Sequence, residues 1–237
     1  MATETSLLAA NLERVALRVR GAANRAGRRA DEITIVAVSK TFPAETIRAA
    51  YEAGLRHFGE NRIQEFEAKR EALTDLTDIT WHFIGHLQSN KAHRAVHLFD
   101  RIDSMDSVSL ARKLAAAAMT EAKNLPVLIE MRLSEEETKS GATESELSAL
   151  ARAIRDLVHL ELEGLMTIPP YSNDPGNARP YFRKLRQLRD GLTQELGVSL
   201  PVLSMGMSND LEIAIEEGAT EVRVGTALFG ERLQVKP

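Results

Sequence analysis

The sequence of 237 residues predicts a parallel (β/α)8 TIM barrel preceded by one extra helix, and three observations lead there. From Ile33 onward, strand-like and helix-like segments alternate, giving eight strand candidates and seven helices between them, the pattern that closes into a barrel. The turn after the first strand, Ser39-Lys40-Thr41-Phe42, carries no glycine, whereas a doubly wound sheet normally shows a Gly-rich turn there. The length also suits a single barrel domain over 1–237, since such barrels commonly reach ~250 residues.

From Ser6 to Ala26 the chain reads as an amphipathic helix, with Leu8, Leu12, Val15 and Val19 on one face and Gly27 set to end it. Glu4 and Glu13 fall inside this arginine-rich start and argue against an organelle presequence. Ile33 to Lys40 is a β-branched run and the first strand. Ala44 to Ala53 is a helix ended by Gly54, His57 to Asn61 a strand, and Arg62 to Leu73 a helix. Ile79 to Gly85, Arg101 to Met105, Val127 to Met131 and Leu160 to Ile168 are the next four strands. Helices over Ser89 to Leu98, Ser107 to Lys123 and Glu144 to Leu157 separate them. Asn177 to Leu196 is a helix ended by Gly197, and Leu200 to Ser204, Asp210 to Glu217 and Glu221 to Phe229 supply strand, helix and strand. The longest irregular piece, Pro169 to Asn177, follows strand six and suits a loop covering a site.

Composition narrows the function. With 43% hydrophobic and 27% charged residues the chain is an ordinary globular protein. A net charge of -4 gives no general basis for binding nucleic acid or an anionic membrane, and no apolar run approaches the ~20 residues of a membrane helix. The absence of cysteine excludes disulfides and thiolate metal sites and makes a cytoplasmic location the simplest expectation.

In such barrels reactive groups lie at the carboxyl ends of the strands, and the loops after strands seven and eight commonly hold a phosphate. Lys40 ends strand one, where burial would lower its pKa and free its amine to attack a carbonyl. After strand seven, Ser204-Met205-Gly206-Met207-Ser208-Asn209-Asp210 offers a glycine for close backbone approach, and Ser208 or Asn209 to cap a helix. After strand eight, Gly225-Thr226 adds a bare backbone N–H and a hydroxyl. Arg223, between Val222 and Val224, faces either the barrel mouth or solvent under a helix. His82 and His86 flank the end of strand three and are candidates for the pocket wall, with packing the simpler reading. His93 and His97 lie four apart on one helix, but with no third ligand evident they read as a solvated face, so no metal is expected. Glu135-Glu136-Glu137 reads as a solvated loop, and Lys139-Ser140-Gly141 lacks the glycines of a phosphate loop.

Seven stretches, taken together, resemble the pyridoxal phosphate homeostasis protein family. They are Ser39-Lys40, the run from Phe58 to Glu65, the run from Trp81 to Lys91, Lys139-Ser140-Gly141, Gly164 to Pro169, Leu203 to Ser208, and Val222 to Thr226 with Phe229-Gly230. The resemblance spans nearly the whole chain, in the family's order. It implies a single barrel similar to the N-terminal domain of alanine racemase, with pyridoxal 5'-phosphate held as an imine on Lys40. It further implies that Ser208, Gly225 and Thr226 hold the phosphate and that Arg223 faces the pyridine nitrogen, with Asn61, Ser204 and Met207 as pocket neighbours. Arg132 stands where a smaller polar residue is expected.

The expected function is therefore reversible holding of the cofactor without turnover, with no catalytic residue assigned. PLP-dependent apo-enzymes are the candidate partners, and a monomer is expected. The alternative is an amino-acid racemase, which needs acid/base groups on both faces of the bound cofactor. In alanine racemase one of these is a tyrosine from the second domain of a partner subunit, and no such domain follows strand eight before Pro237. Tyr171, in the loop after strand six, is the substitute to consider. An imine-forming aldolase acting through Lys40 ranks last, since the first strand is not the usual place for its lysine.

Overall fold

Burial of both faces along most of eight short strands accords with the architecture of the computed structural model, a closed parallel barrel in the order β1-β2-β3-β4-β5-β6-β7-β8. The structure describes residues 2–134 and 140–230. The strands are β1 (Thr34–Val38), β2 (His57–Glu60), β3 (Thr80–Phe83), β4 (Arg101–Met105), β5 (Leu125–Met131), β6 (Leu160–Thr167), β7 (Val202–Ser204) and β8 (Glu221–Val224). The helices are α1 (Ala2–Arg25), α2 (Ala44–Glu52), α3 (Ile63–Arg70), α4 (Ala92–Leu98), α5 (Val108–Thr120), α6 (Glu144–Arg155), α7 (Arg179–Leu196), α8 (Leu211–Glu216) and α9 (Thr226–Phe229).

The main apolar layer lies between the barrel and its helices. Ala37 and Phe58 face it from β1 and β2, and it continues through Phe66, Trp81, Phe83 and Phe99. Phe66 is central there, 4.6 Å from the Trp81 ring and 4.8 Å from Phe99 between centroids. The opposite side of the strands faces the barrel interior: a Cβ on Gly59 would stand 3.2 Å from Val36 Cγ1 and 3.1 Å from Ile84. That interior is mixed, holding buried His82, Asp103, Glu130, Ser204, Glu221 and Arg223 beside Val36 and Val38.

The leading helix buries Leu8, Val15 and Val19, as its periodicity predicts. It also braces the loop after β7. Arg18 pairs with Glu212 of α8 at 2.6 Å and donates to the Ser208 carbonyl at 2.9 Å, while buried Asn11 donates to the Leu228 carbonyl at 2.7 Å.

One element differs in kind from expectation. The strand expected over Glu221 to Phe229 stops at Val224, and Thr226–Phe229 is helical. Gly225 leaves the extended conformation, and the Ser208 hydroxyl takes the Ala227 N–H at 3.1 Å, capping the new turn from a different loop. Three expected helices are also shorter, each with a 3-10 turn at one end: Glu71–Leu73, Ser89–Lys91 and Pro175–Ala178. Glu135, Glu136, Glu137 and Lys139 lie outside the described residues.

Candidate functional site

Lys40 stands two residues past the end of β1, half-buried, in a turn closed by the Phe42 N–H on the Ser39 carbonyl at 3.1 Å. Thr41 in that turn has φ 69°, a conformation that a β-branched residue rarely adopts and that costs roughly 1–3 kcal/mol. The surroundings hold the turn in place. The Ser39 hydroxyl donates to Glu60 Oε1 at 2.7 Å, and Lys69 Nζ from α3 donates to Glu60 Oε1 at 2.9 Å and to the Ser39 carbonyl at 3.2 Å. Lys69 also pairs with Glu65 at 2.9 Å, and Glu65 accepts the Thr41 N–H. Ser39 and Glu60 are fully buried, and burial raises the Glu60 carboxyl above its ordinary pKa although Lys69 and Ser39 pull it down.

The other half of the site comes from the ends of β7 and β8. Gly206 has φ 93°, and a Cβ there would stand 2.5 Å from Ala214 Cβ, so only glycine lets this loop pack on α8. Neither Ser208 nor Asn209 caps α8: Asp210 occupies that position, and its carboxylate accepts the Met207 N–H at 2.6 Å. Ser208 instead joins the β7 loop to α9 through Ala227, which sets its hydroxyl beside Gly225 and Thr226. Thr226 is exposed, and the loop after β6 touches this region where Asn209 donates to the Ser172 carbonyl at 3.3 Å.

The two halves meet at one barrel mouth. The β1–β8 ladder pairs Ala37 with Val224, and a Cβ on Gly225 would lie 3.5 Å from Val38. Beyond Lys40, the Phe42 and Phe229 rings are 4.9 Å apart. Val38 pairs with Gly59, and Lys40 and Asn61 each lie two residues further along the chain, past the ends of these adjacent strands. Met207 is half-buried beside this mouth in sequence, with its backbone held by Asp210. After β5, the Arg132 N–H donates to the Ala142 carbonyl at 2.9 Å.

Of the two orientations open to Arg223, the buried inward one is observed. Its guanidinium donates to the Ser204 carbonyl and hydroxyl at 2.8 Å each and to the Thr167 carbonyl at 2.8 Å. Three of its five donors thus anchor it to β6 and β7. This donor set suits the cofactor that the sequence resemblance implies: an amine for an aldehyde, hydroxyls and a glycine backbone for a phosphate, and a fixed cation for an aromatic nitrogen.

Deeper in the barrel lies a second polar group, of which the sequence singled out His82 but not His57, Arg101, Asp103 or Glu221. Asp103 meets His82 Nδ1 at 2.9 Å, and His82 Nε2 meets His57 Nδ1 at 3.1 Å. Burial, with neighbouring His82 and Arg101, lowers the His57 pKa to about 4. His82 is therefore a packed residue within β3 and not a group at the strand's end, while His86, half-exposed or more, pairs with Asp106 at 3.3 Å. Arg101 stands between carboxylates, 2.9 Å from Asp103 and 2.9 Å from Glu221, as their counter-ion. An acid within an expected strand was the available signal for Glu60 and Asp103 alike.

Residues 10–233 match the family model described as alanine racemase, N-terminal domain. A pyridoxal phosphate homeostasis protein of Aquifex aeolicus is 49% identical over 221 residues, covering 93% of this chain and 96% of the relative. Among solved structures, PipY of Synechococcus elongatus PCC7942 with PLP bound is 42% identical, with a TM-score of 0.79 over 84% of this chain and 93% of that one. An alanine racemase of Clostridium difficile 630 shares the fold at a TM-score of 0.76 and 15% identity, covering 97% of this chain and 58% of the racemase. Among the described residues no helix is long and apolar enough to cross a membrane.

Proposed function

Because this chain belongs to the pyridoxal phosphate homeostasis proteins, within the alanine racemase N-terminal domain family, we propose that it binds pyridoxal 5'-phosphate and serves its homeostasis. The observation that carries this reading is the meeting, at the ends of β1, β7 and β8, of the Lys40 turn with Ser208, Gly225 and Thr226 around anchored Arg223.

The Lys40 amine adds to the cofactor's aldehyde carbon, a C=N bond replaces the C=O bond, and the oxygen leaves as water. Hydrolysis reverses the step, so the same lysine stores and releases the cofactor. Ser208, Thr226 and the Gly225 backbone hold the phosphate, with Ser204, Met207 and Asn61 lining the ring. When bound, the cofactor supplies an electron sink, which is stronger when its ring nitrogen is protonated. Arg223 opposes that protonation, because a guanidinium donates and does not accept. Carbanion chemistry on the ring is thereby made harder, which favours holding the cofactor over turning over a substrate. PLP-dependent apo-enzymes are the proposed recipients, and the protein acts as a cytoplasmic monomer built on one barrel domain.

The racemase reading draws on the fold shared with the C. difficile enzyme and on Tyr171, which is 85% exposed in the loop after β6. Absorbance separates the readings. Protein mixed with the cofactor is expected to show the visible imine band, which disappears in Lys40→Ala and after borohydride reduction, while L-amino acids stay in the L-form. A colourless mixture overturns the binding assignment, and sustained formation of D-amino acids at catalytic protein levels establishes the racemase.

A further inference from the structure

We propose that Arg18 and Asn11 of the leading helix are positioning residues for the phosphate end of the site, fixing the β7 loop and α9 in the one relative setting in which Ser208, Gly225 and Thr226 can hold a phosphate. The inference rests on the cradle assigned above and goes further, since it makes a helix outside the β/α repeat a determinant of preference for a phosphorylated ligand. Asn11 and Arg18 are seven apart on α1, two turns along one face, with buried Val15 between them. Each takes hold of one half of the cradle. Arg18 donates to the Ser208 carbonyl at 2.9 Å, and Asn11 donates to the Leu228 carbonyl of α9 at 2.7 Å. The Ser208 hydroxyl in turn accepts the Ala227 N–H at 3.1 Å, so α1, the loop and α9 form a closed ring of contacts. Because a peptide is planar and trans, holding the Ser208 carbonyl also fixes the direction of the Asn209 N–H.

Both side chains are themselves held. Arg18 Nε and Nη2 donate to Glu212 Oε1 and Oε2 at 2.6 and 2.7 Å, a two-point pair with α8, and the same Nη2 reaches Ser208. Asn11 is buried in a face otherwise made by Leu8, Val15 and Val19. Its amide oxygen accepts from Arg14, which turns its nitrogen toward Leu228. A buried amide in such a face costs stability unless it is bonded, and its bonded partner singles out one register of α1 on α9. The cradle's assigned donors are two hydroxyls and a backbone N–H, all neutral, so their grip on an anion depends on being set in place before the ligand arrives.

The test compares pyridoxal 5'-phosphate with pyridoxal, each titrated into the full-length protein and followed by the visible imine band. Arg18→Met and Asn11→Leu are each expected to weaken binding of the phosphorylated ligand roughly tenfold or more and of pyridoxal less than about twofold, with circular dichroism confirming that they fold. Arg25→Met is the control. It removes another α1–α8 ion pair, that with Glu216 at 2.9 Å, at the far end of α8 from Ser208, and is expected to leave the ratio of the two affinities unchanged. A parallel loss for both ligands, an unaltered ratio in either cradle variant, or an equal shift in Arg25→Met overturns the proposal. A wild type that binds the two ligands alike overturns the phosphate cradle together with the proposal, whereas a wild type that prefers the phosphorylated ligand beside unaltered variants overturns the proposal alone.

Discussion

Replacing Lys69 by methionine tests whether the buried charges behind Lys40 are held as described. Lys69 is 10% exposed and Glu60 fully buried, and the ammonium meets Glu60 Oε1 at 2.9 Å, Glu65 at 2.9 Å and the Ser39 carbonyl at 3.2 Å. Methionine keeps the stem and removes all three contacts, leaving Glu60 with the Ser39 hydroxyl alone. Stripping one partner from a buried ion pair costs ~3–5 kcal/mol. At ~2–4 °C per kcal/mol for a chain of this size, the melting temperature is expected to fall by roughly 6–20 °C.

The sign of the pH dependence follows from Glu60. Burial raises its pKa and Lys69 opposes that, so without Lys69 the folded-state pKa climbs further above the unfolded one. A carboxyl with a raised folded pKa contributes stability that is complete below the unfolded pKa and lost as pH rises through the folded value. The deficit of Lys69→Met is therefore smallest in acid and grows toward neutrality. Adding Glu60→Gln removes the stranded charge and is expected to restore most of the loss. Circular dichroism melts at several pH values decide: a deficit under ~1 kcal/mol, or a double variant as unstable as the single one, refutes the buried-charge reasoning.

Other outcomes follow from the same geometry. Ser208→Ala combined with Thr226→Val is expected to weaken cofactor binding by ~10–100-fold while the imine band still forms at high cofactor concentration, and unchanged affinity removes these residues from the phosphate site. Gly206→Ala meets both a clash with Ala214 Cβ at 2.5 Å and φ 93°, so denaturant titration is expected to show a loss of ~2 kcal/mol or more. For His57, lowered to about 4 chiefly by burial, NMR titration is expected to give a midpoint well below the ordinary 6.5. Its contribution to stability is complete above 6.5 and is lost as pH falls through about 4, and His57→Gln is expected to flatten the pH profile in that window.

The barrel was legible because its signals are local. Arg101 to Met105 appears as a strand with the expected bounds, and the apolar run ending at Lys40 gave β1 within two residues of its end. The mouth residues were legible for the same reason, since Lys40, Ser208, Gly225 and Thr226 each follow a strand end. What escaped depends on long-range partners. Glu60 is held by Ser39, 21 positions earlier, and by Lys69 on the next helix. The turn from Gly225 into α9 needs the Ser208 hydroxyl, 19 positions before the N–H it accepts. The inward setting of Arg223 is decided by carbonyls of β6 and β7, which strand periodicity alone does not reveal. His93 and His97 were legible as a pair, whereas their contacts with Glu121, at 3.8 and 3.4 Å, form only once α5 packs beside α4.

The account rests on one ligand spanning Lys40 and the cradle at the ends of β7 and β8. A crystal structure of the protein grown with pyridoxal 5'-phosphate tests it most directly. The expected result is continuous density from Lys40 Nζ to the cofactor, its phosphate within hydrogen-bonding distance of Ser208, Gly225 and Thr226 and its ring nitrogen toward Arg223. Cofactor bound to another lysine, or a phosphate lying away from those three residues, would contradict it.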